Sequence, residues 1–155
     1  MAIELSKEVK ELLDDRNTIK IVASVGKSGV VNSAVKQSVR LNENGQIEFL
    51  EFLETSDTNR NVIHSLWFEH NISILLLGNN NESYELRGIP TEAIIEGRYF
   101  EKKYVEVQER FEGKLDLATV WIVDITEVRN KDIFARQLQE REDYPIVSHL
   151  DRLAQ

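Results

Sequence analysis

Two short segments, Gly26-Lys27-Ser28-Gly29 and Asn42-Glu43-Asn44-Gly45, constrain this chain most, because each ends an alternating run with residues that tolerate positive φ. Before the first, Ile19, Ile21, Ala23 and Val25 alternate with Thr18, Lys20, Val22 and Ser24. Between the two, from Val30 to Leu41, Val31, Val35, Val39 and Leu41 share one face, opposite Asn32, Ala34, Lys36, Ser38 and Arg40. A side-chain period of two broken by tight turns predicts antiparallel hairpins. The next run, Ile47 to Glu54, places Ile47, Phe49 and Leu53 on one face and Leu50 and Phe52 on the other. Both faces then need cover. In a small closed or half-closed barrel one face fills the interior, and a helix or a partner subunit covers the second; a homodimer meets that need.

Helical spacing separates these runs from the rest. Leu5, Val9, Leu12 and Leu13 form one apolar face with Ser6 as N-cap. Thr58 is the expected N-cap of a second helix, with Val62, Ile63, Leu66 and Trp67 as its buried stripe, ending near Asn71. Phe100, Tyr104, Val107 and Phe111 place a third between Arg98 and Glu112, stopped by Gly113. Strands are expected at Ile72 to Leu77 and, after the turn Asn79-Asn80-Asn81, from Ser83 to Arg87. Gly88-Ile89-Pro90 then breaks the run, and Ala93 to Ile95 continue the sheet. Ala118 to Val128, rich in β-branched residues, closes the barrel. Beyond Asn130 the chain is charge-rich, and Ile146, Leu150 and Leu153 return to helical spacing, which reads as a docked extension. Six or seven strands with three or four helices define one α+β domain.

Charge and composition exclude several functions. A formal net charge of -8 with no basic stripe disfavours nucleic acid. The absence of Cys removes disulfides, a thiolate nucleophile and Cys-based metal sites. No segment approaches the ~20 apolar residues of a membrane span, so a soluble cytoplasmic protein is expected. His64, His70 and His149 lack metal-ligand spacing, no serine sits in a nucleophile elbow, and Gly26-Lys27-Ser28 lacks the spacing of a P-loop. Trp67 and Trp121 read as core or interface anchors.

The candidate site is the turn Thr55-Ser56-Asp57-Thr58-Asn59-Arg60-Asn61, where hydroxyl and amide side chains open a helix. Unpaired amides at the positive end of a helix favour an anion, so this turn is a candidate phosphate cradle. Each member also has a purely structural reading. Thr58 alone caps a helix, and Arg60 and Lys36 are ordinary surface charges.

The order of elements, the Val31-Asn32-Ser33-Ala34 strand, the Thr55 to Asn61 turn with its helix, the Tyr84-Glu85-Leu86-Arg87-Gly88 strand and the late Trp121 strand resemble the pyridoxamine 5'-phosphate oxidase-like family of FMN-binding split barrels. The resemblance covers roughly Leu5 to Val128. It implies a mainly antiparallel split β-barrel with flanking helices over residues 1–129, followed by a C-terminal helical extension over residues 130–155 docked on the same domain or on the partner subunit. It also implies a homodimer with FMN in the groove between barrels. Asn32, Ser33 and Ala34 would line the flavin, and the turn beginning at Thr55 would surround its phosphate through Ser56, Thr58 and Asn61. Asp57 stands where relatives often carry a basic residue, and Arg60 or Lys36 would have to compensate. The implied function is an FMN-dependent oxidoreductase or electron-transfer protein acting on a small-molecule substrate or electron donor. The alternatives are a non-catalytic ligand-binding or sensing dimer that has lost tight flavin binding, and a haem-handling protein.

Overall fold

The computed structural model describes residues 3–145. Helix α1 (Lys7–Asp14) starts where Ser6 accepts the Val9 amide, and it buries Val9, Leu12 and Leu13 as its spacing predicts. Strands β1 (Ile19–Val25) and β2 (Val31–Val35) form the first hairpin. The alternation to Leu41 does not continue as one strand: residues 36–39 leave the sheet before β3 (Arg40–Leu41), which pairs with β4 (Ile47–Glu51) around the Asn42 to Gly45 turn. Helix α2 (Asp57–Phe68), β5 (Ile72–Leu77), β6 (Ser83–Ile94), α3 (Arg98–Arg110), β7 (Thr119–Asn130) and α4 (Ile133–Asp143) follow. The seven strands run antiparallel in the order β2-β1-β5-β6-β7-β4-β3, curled into a half-barrel with the helices at its flanks.

The split lies between the ends of that order. Residues 36–39 cross it from β2 toward β3, and Ser38 Oγ accepts the Leu50 amide of β4 at 2.9 Å. The enclosed core joins Val22, Phe49, Ile74, Leu86, Trp121 and Val123 to the buried face of α1. Burying a side chain of this size contributes about 1.5–3 kcal/mol.

The faces of β1 and β2 are the reverse of simple hydrophobic patterning. Thr18, Lys20, Val22 and Ser24 point inward, while Ile19 and Val25 are exposed. Val31 and Val35 are 69% and 61% exposed, and Asn32, Ala34 and Lys36 face the split. Lys20 is tolerated inside because its ammonium donates to the carbonyls of Leu13 and Val39, each at 2.8 Å. Burial lowers its pKa, against the raising influence of Asp14 and Asp15.

The two-faced β4 finds its cover within the chain. Leu50 and Phe52, partly buried, pack with Val107, Phe111, Leu117, Val120 and Ile122 beneath α3, so the helix supplies cover on that face. Strand β6 does not stop at Gly88-Ile89-Pro90 but carries register shifts there against β7. Gly88 is required because a Cβ would strike the Asp124 carbonyl. Strand β7 lies between β6 and β4. No residue of α4 is buried, and Ile133, Phe134 and Leu138 are exposed. Ile146, Leu150 and Leu153 lie outside the described residues.

Candidate functional site

The turn before α2 and the split edge of β2 come together, as the sequence suggests, around a residue the sequence does not single out. Glu51, the last residue of β4, is 1% exposed. Its carboxylate accepts from the Lys36 ammonium at 3.0 and 3.1 Å, from the Ser56 hydroxyl at 2.7 Å, and from the amides of Phe52 and Leu53 at 3.0 and 3.2 Å. The hydrogen-bonded pair ties β2 to β4 across the split.

Ser56, not Thr58, is the N-cap of α2, with its hydroxyl oxygen accepting the Asn59 amide at 3.0 Å. Thr58 is inside the first turn and 2% exposed, and its hydroxyl accepts from Asn32 Nδ2 at 2.9 Å. Asn61 reaches the Ser24 carbonyl and hydroxyl of β1 at 3.4 and 3.3 Å. That approach is possible because Gly26 has no Cβ; one there would collide with Asn61 Oδ1. Asn59 is 4% exposed, donating to the Glu54 carbonyl at 2.9 Å and accepting the Trp121 indole N–H at 3.0 Å. Trp121 is thus a core anchor, whereas Trp67 is 76% exposed.

The structure therefore brings Asn32, Lys36, Ser56, Thr58 and Asn61 to one junction. Ala34 is half-buried on the same inward edge, while Ser33 is exposed on the opposite face. Thr55 and Arg60 are exposed, as is Asp57, whose charge favours the positive end of α2. As placed, these residues do not fit a phosphate dianion. The cation and hydroxyl suited to it are engaged by Glu51, and Thr58 and Asn61 are turned to protein partners.

Beside this junction, Lys36 also borders a cavity of about 290 Å³ between β2, β4 and α3. Its apolar surface comes from Val35, Leu50, Phe52, Val107 and Phe111. Its charged lining sets Lys36, Arg40, Lys103 and Arg110 against Glu48 and Glu106, four cations to two anions in a chain of net charge -8. Glu48 is 1% exposed, paired with Arg40 Nε at 2.7 Å and accepting the Tyr99 hydroxyl at 2.6 Å. The Tyr99 phenol is pushed up to about 12, first by burial, then by the hydrogen bond and charge of Glu48.

The Lys103 side chain is only 8% exposed, and its ammonium stands 3.5 Å from Glu106 and 3.9 Å from Glu48, long for hydrogen bonds. Sequence reasoning missed Arg40, Glu48, Glu51, Tyr99 and Lys103. One signal was available: Glu48 and Glu51 are charges in a strand otherwise marked for burial, and Tyr99 and Lys103 are one helical turn apart.

The outer face of the first hairpin stays open, with Ile19, Val25, Val31 and Val35 exposed. Farther along the sheet, the Glu85 carboxylate accepts the Ser73 hydroxyl at 2.6 Å and pairs with Arg87 at 3.1 Å and Lys131 at 3.4 Å. His64 and His70, separated in sequence, meet edge to face with ring centroids 5.4 Å apart. His149 lies outside the described residues. Among the described residues, no group of three or more His, Cys, Asp or Glu is arranged to hold a metal ion, and no helix is long and apolar enough to cross a membrane.

The half-barrel, its flanking helices and the bridged split define the fold of the pyridoxamine 5'-phosphate oxidase-like split barrels. Among solved structures, the chain is similar to HupZ from Group A Streptococcus, at 22% identity and TM-score 0.64 over 83% of this chain and 95% of that one. An FMN-binding protein from Syntrophomonas wolfei matches at 13% identity and TM-score 0.64, over 80% of this chain and 84% of that one. HutZ, the heme storage protein from Vibrio cholerae, matches at 15% identity and TM-score 0.58, over 83% and 95% respectively. No protein-family model and no curated protein sequence matches the chain.

Proposed function

We propose that this chain is a small-molecule-binding protein built on a dimeric split barrel, with its ligand seated in the cavity between α3 and the split edge. The observation that carries this reading is Lys103. A lysine this buried, with its nearest carboxylate oxygens at 3.5 and 3.9 Å, retains hydrogen-bonding capacity beside an apolar floor. Such a lining suits a compact organic anion with an aromatic or branched apolar body. The carboxylate or equivalent would meet Lys103, and the body would lie against Leu50, Phe52 and Phe111. The open face of Ile19, Val25, Val31 and Val35 supports pairing with a second copy, since burying it removes apolar surface from water.

The test is binding of fluorobenzoate followed by fluorine NMR. Saturable binding to the wild type that weakens by at least about tenfold in Lys103→Met supports the reading, because the lost contact is a desolvated charge. Equal binding by both proteins refutes it. Gel filtration with light scattering tests the dimer, which Val31→Asp and Val35→Asp together are expected to dissociate.

A second reading, an FMN-dependent oxidoreductase, is favoured by the FMN-binding protein of similar fold. The visible spectrum of the purified protein separates the readings: flavin bands at stoichiometric intensity favour the oxidoreductase. Haem handling, named for the Vibrio cholerae neighbour, would instead add a Soret band on haem titration.

A further inference from the structure

We infer that Glu51 is a resident anion that keeps phosphate out of the α2 cradle and makes the junction selective for ligands without a phosphoryl group. An anion site at a helix start needs a cation, a hydroxyl and free amides around one point. The chain assembles all three kinds of donor just ahead of α2: the Lys36 ammonium, the Ser56 hydroxyl, and the backbone amides of Phe52 and Leu53 in the segment between β4 and α2. All of them converge on the Glu51 carboxylate within 3.2 Å. The donor set matches what a phosphate monoester would require, and a side-chain carboxylate already fills it.

Burial makes this occupancy costly to undo. With Glu51 2% and Lys36 14% exposed at their side chains, a phosphate entering the cradle must separate a desolvated pair and leave a carboxylate beside a dianion. Like charges at such range exclude one another more strongly than in water. Asp57 is exposed and makes no contact with the Glu51 carboxylate.

The inference concerns the cradle and does not depend on what the neighbouring cavity holds. It also differs from a purely structural role for Glu51. A clip between β2 and β4 accounts for stability but does not require that its removal create a phosphate site.

The probe is inorganic phosphate at constant ionic strength, read by thermal unfolding and by the amide NMR signals of Phe52 and Leu53. In the wild type, those signals should stay in place and the unfolding temperature should not respond to phosphate beyond a matched chloride control. In Glu51→Ala, phosphate should bind saturably, at least about tenfold more tightly than in the wild type. It should raise the unfolding temperature in proportion to the logarithm of its concentration once saturating. Adding Lys36→Met to that variant should abolish the gain. Glu51→Ser, which also vacates the donor set but keeps a polar group at this buried position, supplies the same comparison where the alanine variant does not fold. Saturable movement of the Phe52 and Leu53 signals in the wild type would overturn the inference. So would a folded Glu51 variant that gains no phosphate binding.

Discussion

Replacing Lys36 by Met isolates the pair that bridges the split. The substitution keeps the length and apolar stem of the side chain and removes only the ammonium, so the change falls on Glu51. Glu51 is 2% exposed at its side chain, with the ammonium 3.0 Å from Oε2. Removing one member of a buried pair costs about 3–5 kcal/mol, because the other charge stays desolvated without compensation. Here the carboxylate keeps the Ser56 hydroxyl and the Phe52 and Leu53 amides, so the lower end, about 3 kcal/mol, is expected. For a domain of this size each kcal/mol lowers the midpoint by about 2–4 °C, giving a fall of roughly 6–12 °C. Urea unfolding followed by circular dichroism measures the change in free energy, and thermal unfolding measures the fall. The double variant Lys36→Met with Glu51→Leu should recover part of the loss, the remainder reflecting Phe52 and Leu53 amides left without an acceptor. A loss below about 1 kcal/mol in the single variant, the value of an exposed pair, would refute the reasoning.

Other groups give independent tests. Burial pushes the Glu85 carboxyl up, but Ser73, Arg87 and Lys131 outweigh it and hold the group down to about 2. Its folded value lies below its unfolded one, so its stabilisation is present above the ordinary carboxylate range and is lost as pH falls toward about 2. Thermal unfolding of Glu85→Gln should therefore show a flatter acid limb than the wild type. The Tyr99 phenol, raised to about 12, contributes stability that is full below its ordinary value and lost as pH rises through the folded one. Ultraviolet titration should show Tyr99 ionising late, alongside Tyr84, which burial also shifts up, and Glu48→Gln should bring only the Tyr99 step earlier. Gly26→Ala should force Asn61 off Ser24 at a cost of about 1 kcal/mol. Urea unfolding should show a double variant with Asn61→Ala losing less than the sum of its parts.

The hairpins, α1 and the barrel class were legible because turn residues and period-two runs act locally. Ser6 caps α1, and positive φ at Gly29 and Gly45 marks the two turns. What misled was the inference from apolar to buried. Val31 and Val35 lie on an open face, and Lys20 is enclosed because two carbonyls receive it, a fact of three-dimensional proximity that spacing along β1 does not carry. The cradle was half legible. Ser56, Thr58 and Asn61 do meet Asn32 and Lys36, but the anion among them comes from Glu51, which alternation places on the barrel side of β4 without revealing its partners. Asp57 draws attention because it sits inside the motif; it is exposed, whereas the carboxylate buried among the donors is Glu51, four residues before Thr55. The Lys103 wall was illegible because α3 reads as an ordinary amphipathic helix, and only its packing over β4 gives that residue a cavity to line.

The most direct measurement is a paired titration of the wild type with FMN and with riboflavin, followed by flavin fluorescence. The two ligands share a ring system and differ by the phosphate. With Glu51 holding the cradle, FMN should bind no more tightly than riboflavin. Stoichiometric FMN binding more than about tenfold tighter than riboflavin, a difference of about 1.4 kcal/mol, would contradict the account.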